Sequence, residues 1–138
     1  MQGPGHRPAL RPAAACLLLA WLCGCASSSL DIIQVGPWFA PRRPSEVEVF
    51  SSRGEMRGVW GGIAIIHGAH VPAASAETIE NQKRQARAAA AKIGADGVII
   101  SIASVDPGPM TGNYQEPEVY LSALAIKYAA TASTPIAK

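Results

Sequence analysis

This chain of 138 residues predicts an α+β domain, a small sheet of about four strands with one helix packed across one face, in the order β-β-α-β-β. Three observations lead there. Residues 85–102 read as an alanine-rich helical run that stops at Gly94, turns at Asp96-Gly97 and becomes a β-branched strand. The other strand-like material is confined to residues 47–50, 59–66 and 119–128, on either side of that run. The length suits one domain, and with 49% hydrophobic but only 6% aromatic residues the core must be built from Ile, Val, Leu and Ala.

The elements follow in order. Residues 45–50, Ser-Glu-Val-Glu-Val-Phe, alternate polar and apolar, the signature of a half-buried strand, and Ser51-Ser52-Arg53-Gly54 breaks it. Residues 57–68 form a second extended segment, with Val59, Gly61, Ile63 and Ile65 on one face and Trp60, Gly62, Ala64 and Ile66 on the other. Gly61-Gly62 in its middle predicts a bulge or a close backbone approach. Residues 68–74 read as a loop holding Pro72.

A helix is predicted over 76–93, with Ser75 as N-cap and Glu77 and Glu80 at the positive end of its dipole. Ile79, Ala86, Ala90 and Ile93 recur at helical spacing as a narrow buried stripe, while Lys83, Arg84, Arg87 and Lys92 point mostly outward. Glu80 stands four residues before Arg84, within pairing distance. Gly94 takes the position after the helix, where positive φ is cheap. The strand over 98–105 is apolar on both faces at its start, as a central strand is. Residues 106–117 hold three prolines and form a long connection. The last strand, 118–128, sets Val119, Leu121, Ala123 and Ala125 against Tyr120, Leu124, Ile126 and Tyr128. One helix over one sheet face completes the architecture, and residues 129–138 read as a flexible tail.

The opening of the chain carries an address. Arg7 and Arg11 precede an apolar run over 13–22, too short for a bilayer anchor of ~20 residues and suited to a signal peptide. That run ends Leu22-Cys23-Gly24-Cys25, followed by Ala26 and Ser27. Leu, any residue, Gly, Cys in this place resembles the lipobox of bacterial lipoproteins. The resemblance implies a signal peptide over 1–24, cleavage after Gly24 with Leu22 in the recognition motif, and acylation of Cys25. Ala26 after the cysteine implies sorting to the outer membrane, facing the periplasm. Two or three acyl chains anchor firmly where one binds marginally. The alternative is an ordinary secretory signal with Cys25 an incidental thiol.

Residues 25–45, rich in Ser, Gly and Pro, read as a lipidated tether leading into a domain over 46–128. Leu30, Ile32, Ile33, Val35, Trp38 and Phe39 interrupt that reading, and either dock on the domain or lie near the lipid. Arg42-Arg43 reads as a solvated charge pair, with contact to anionic headgroups the lesser reading.

Charge and cysteine count exclude several functions. Arg7 and Arg11 fall in the leader, so the remaining ten Lys and Arg balance all ten Asp and Glu, which gives no electrostatic case for nucleic acid. Cys16 and Cys23 also fall in the leader, so an acylated Cys25 leaves the domain without disulfide, thiol chemistry or cysteine-held metal.

The candidate chemistry is thin, and no cofactor is indicated. His67 and His70 offer two metal ligands and Glu77 a third, where a site needs three or four; loop histidines at a strand end are the commoner meaning. Ser101 and Ser104 lack a matching His and Asp. Asp96 and Asp106 are explained by turns with Gly97 and Pro107. Gly58, Gly61 and Gly62 precede no Lys-Ser/Thr and match no phosphate loop. Trp60, Tyr114 and Tyr120 make either a binding surface or ordinary packing.

Residues 88–100, Ala-Ala-Ala-Ala-Lys-Ile-Gly-Ala-Asp-Gly-Val-Ile-Ile, resemble a recurring bacterial pattern. It is similar to one in small lipoproteins related to the outer-membrane stress sensor of the Rcs phosphorelay, and in a soluble oligomeric family labelled "heavy-metal-binding". Ser122-Ala123-Leu124-Ala125-Ile126 resembles the final strand of the former. The similarity spans roughly 47–128 and describes a helix-to-strand turn. The stress sensor's domain carries disulfides that this chain lacks, so its signalling role does not transfer.

The expectation is therefore a non-enzymatic envelope lipoprotein. It is held to the bilayer through Cys25, contacts an envelope protein or peptidoglycan, and is able to oligomerise through an open sheet edge. The alternative is a metal-binding envelope protein using His67 and His70.

Overall fold

In a computed structural model describing residues 30–106, 108, 112 and 116–132, the helix-to-strand turn at Gly94 lies against Phe39 and Ala40 and accepts a hydrogen bond from Lys127. Helix α1 (Ala76–Lys92) ends at Ile93, and Gly94 follows with φ +76°. A Cβ there would lie 2.6 Å from the Ala40 carbonyl oxygen and 2.7 Å from Phe39 Cβ, so glycine is required both for its dihedral and for the chain passing over it.

The sheet has six strands: β1 (Asp31–Gln34), β2 (Glu48–Phe50), β3 (Trp60–His67), β4 (Val71–Pro72), β5 (Gly97–Ser104) and β6 (Glu118–Tyr128). Their order is β1-β3-β6-β5-β2, with β4 also paired to β6. Only β2 and β5 run parallel; the other pairs are antiparallel. The class is α+β, as predicted, with two strands beyond the four expected. One is β4, inside the predicted loop: the chain leaves β6 at Gly68, bulges through His70, and rejoins it where Val71 faces Val119. The other is β1.

β1 settles the open choice over residues 30–39. They dock: Asp31–Gln34 pair antiparallel with His67–Ala64, Phe39 is 5% exposed in the core, and Leu30 and Trp38 pack against it. Residues 30–45, most of the stretch read as tether, thus belong to the folded part. The prolines of this stretch mark bends in a docked arm. Pro37, Pro41 and Pro44 bend an arm that hydrogen-bonds to the helix end, Phe39 N–H to Ile93 O at 3.0 Å and Arg42 N–H to Ala91 O at 3.0 Å.

The predicted faces of β3 do not hold throughout. A bulge between Gly62 and Ala64 inserts Ile63, so Ala64 and Ile66 face α1 while Ile65 and His67 face away. The glycines foretold a bulge; the alternation past it is shifted. β6 keeps its predicted faces, with Leu121, Ala123 and Ala125 buried against α1.

On α1, Ala86, Ala89, Ala90 and Ala91 are buried, and alanine lets the helix lie close on Ala64, Ala123 and Ala125. The predicted stripe misplaced its upper end: Ile79 is half-buried and Gln82 is the buried residue. Gln82 Nε2 donates to the Ala69 carbonyl at 3.0 Å, pinning the loop between the two histidines. Ser75 holds the cap position without a side-chain bond. Arg87, predicted to point outward, instead donates to the carbonyls of Val47 (2.9 Å) and Ser45 (3.3 Å), tying β2's approach to the helix. Glu80 pairs with Lys83 at 2.6 Å, not with Arg84.

Candidate functional site

Asp96, at the turn, organises the most concentrated polar chemistry among the described residues. It is 5% exposed. Its Oδ1 accepts from Lys127 Nζ at 3.0 Å and pairs with Arg42 Nη1 at 2.8 Å; its Oδ2 accepts from the Tyr128 amide at 2.9 Å and from the Thr131 hydroxyl. Burial pushes its pKa up, but the bonds from Thr131, the Tyr128 amide and Lys127 outweigh that and hold the carboxyl below its ordinary range. Lys127 is 7% exposed, donates also to Gly94 O at 3.1 Å, and lies 5.0 Å from the centre of the Phe39 ring. This cluster of charge joins four segments of chain.

Two sequence readings change here. Asp96 does far more than make a turn with Gly97: it is the anion of a buried cluster. Arg42 is not a solvated charge; only Arg43, paired with Glu46 at 2.7 Å on the surface, is. The signal for the cluster lay in Lys127, a lysine on the face of β6 otherwise made of Val119, Leu121, Ala123 and Ala125.

His67 and His70 come together through the aromatic ring of Tyr120. Its centroid lies 6.1 Å from His67, edge-on, and 5.3 Å from His70. Glu118 is the carboxylate beside them, 3.9 Å from His70 Nδ1. Among the described residues no group of three or more His, Cys, Asp or Glu is placed to hold a metal ion, so Glu77 does not complete the pair. Two imidazoles alone do not make a closed site. Trp60 lies opposite Tyr128 in the β3–β6 pair rather than beside Tyr120. Cys25, Leu22, Gly24 and Tyr114 lie outside the described residues.

The sheet face away from α1 carries a second pattern. Ile33, Ile65, Leu124, Ile99 and Phe50 are in direct cross-strand register, one from each of β1, β3, β6, β5 and β2. They form an apolar row across the full width of the sheet. Ile33 is 44% exposed, and Ile65, Leu124 and Phe50 are half-buried. The adjoining row is polar: Asp31, His67, Ser122 and Ser101, with the Ser101 hydroxyl donating to Ser122 O at 3.1 Å. Arg53 borders a hollow of about 240 Å³ over these rows.

No protein-family model matches the chain, and no curated protein matches it. Among solved structures it is similar to a Francisella virulence factor, FvfA, at 14% identity and a TM-score of 0.47, covering 70% of this chain and 94% of that one.

Proposed function

We propose that this chain is an outer-membrane-anchored lipoprotein acting as a non-enzymatic interaction module in the cell envelope. The observation that carries the reading is the Leu22-Cys23-Gly24-Cys25 motif standing six residues ahead of the first strand. With Cys25 acylated, a six-residue leash spans at most about 20 Å. The domain then stays close to the bilayer, which favours an envelope protein at the membrane over peptidoglycan as partner. Confinement raises local concentration, so modest affinity suffices. The apolar row Ile33–Ile65–Leu124–Ile99–Phe50, bordered by Ser101, Ser122 and Arg53, is the contact face in this reading.

Radiolabelled palmitate should attach to the chain and fail to attach after Cys25→Ser. A photo-crosslinker placed at Ile33 should capture an envelope protein in intact cells, and one at Arg84 on the helix should not. Label persisting in Cys25→Ser removes the anchor; equal capture from both positions removes the contact face.

A further inference from the structure

We propose a second binding site, for a small amphipathic anion, at the end of the sheet where β3 starts and β6 finishes, apart from the apolar row. A groove of about 300 Å³ runs between the N-terminal arm and the start of β3, lined by Phe39, Trp60, Gly61, Lys127 and Tyr128. It adjoins a hollow of about 430 Å³ that shares Val59 and Tyr128 and is bordered by Arg57. These volumes lie in the range of small-molecule sites, and so does the composition: apolar walls with a few polar groups.

Charge selects the ligand. Arg42 and Lys127 are both placed on the single carboxylate of Asp96, so the cluster carries one positive charge in excess. An ammonium has three hydrogens to donate. Lys127 uses two, on Gly94 O and Asp96 Oδ1, and toward the groove meets the face of the Phe39 ring at 5.0 Å, with no oxygen acceptor among the described residues for the third. A partly unsatisfied cation at 7% exposure in an apolar groove complements an anionic head, and the apolar walls complement a short chain or ring.

The floor shows where the body of that ligand lies. A Cβ built on Gly61 meets nothing within 4 Å, whereas those on Gly62 and Gly94 meet neighbours at 3.1 and 2.6 Å. Gly61 faces Lys127 directly across the β3–β6 pair. Glycine at 61 therefore keeps a space open beside the ammonium that packing does not require it to keep. The class of ligand is a monoanion with one apolar chain, of which octanoate is the simplest probe. The site does not depend on where the chain is anchored.

The test uses the full chain carrying Cys25→Ser, which has no acyl group to compete. Octanoate, octan-1-ol and octylamine are titrated calorimetrically into it. Octanoate should bind about tenfold or more tightly than the alcohol or the amine. Gly61→Val, which fills the space with a strand-compatible side chain, should weaken octanoate about tenfold without lowering the thermal unfolding midpoint. Should that variant unfold, Val59→Glu at the exposed rim provides the same readout by repulsion, Val59 being 77% exposed. Absence of octanoate binding, equal binding of octan-1-ol, or full binding by the folded variant each overturns the proposal. So does dimerisation in the ultracentrifuge that Gly61→Val abolishes, since a second copy would then fill the groove.

Discussion

Arg42 Nη1 lies 2.8 Å from Asp96 Oδ1, fastening the N-terminal arm to the turn between α1 and β5. The same oxygen holds Lys127, and the other oxygen holds the end of β6 and Thr131. Removing the carboxylate and removing one cation are therefore different injuries. Asp96→Ala leaves Lys127 buried without its counter-charge and should cost about 3–5 kcal/mol. Arg42, with 29% of its side chain exposed, regains water when released, and Arg42→Ala should cost about 1 kcal/mol. Urea unfolding of the two variants measures both; equal costs would refute the shared-carboxylate account.

The same carboxylate sets a pH dependence. The folded pKa of Asp96 is depressed, by hydrogen bonds that outweigh its burial. Its contribution is therefore fully present above the unfolded value of about 3.9 and is lost as pH falls from there through the lower folded value. Stability measured between pH 5 and pH 2 should drop more steeply in the parent chain than in Asp96→Asn. Parallel curves would assign the acid sensitivity to other groups.

Gly94 and Gly61 should respond in opposite directions to one added methyl. Gly94→Ala meets positive φ and contacts of 2.6–2.7 Å with Ala40 and Phe39, and should destabilise by about 3 kcal/mol. Gly61→Ala meets open space in a strand and should be neutral or stabilising by up to about 1 kcal/mol. Thermal denaturation of the pair is a direct comparison, and a destabilised Gly61→Ala would mean that the space beside Lys127 is not empty.

Phe39 tests the extent of the domain. It is 5% exposed against the core and its ring carries Lys127. Phe39→Ala should cost about 3–4 kcal/mol. A chain deleted from residue 30 to 42 should lose cooperative unfolding, whereas a tether could be removed without effect. Retention of the transition midpoint after deletion would return these residues to the linker.

Local chemistry made α1 and its exit legible. An alanine stripe, a glycine with positive φ and a β-branched run each act within a few residues, and α1, β5 and β6 fall within a residue or so of their predicted limits. What was not legible was set by distant partners. Whether Asp-Ile-Ile-Gln docks stayed open in the sequence because its pairing with β3 lies thirty residues on. Val71–Pro72 form a strand only because β6 runs past them. Asp96 carries an Asp-Gly turn signal, and that local meaning masked its partners at Arg42, Lys127 and Thr131. The face of Ile65 was misassigned because one inserted residue reverses every side chain beyond it. His67 and His70 were visible as a pair, but their common neighbour Tyr120 was not.

The middle of the sheet is occupied by its last strand: β6 lies between β3 and β5, and neither of those pairs with the other. Until residues 118–128 are made, the β1–β3 and β2–β5 pairs have no strand to join them, and closure of the sheet waits for β6. A polypeptide wired in this order resists premature collapse during synthesis.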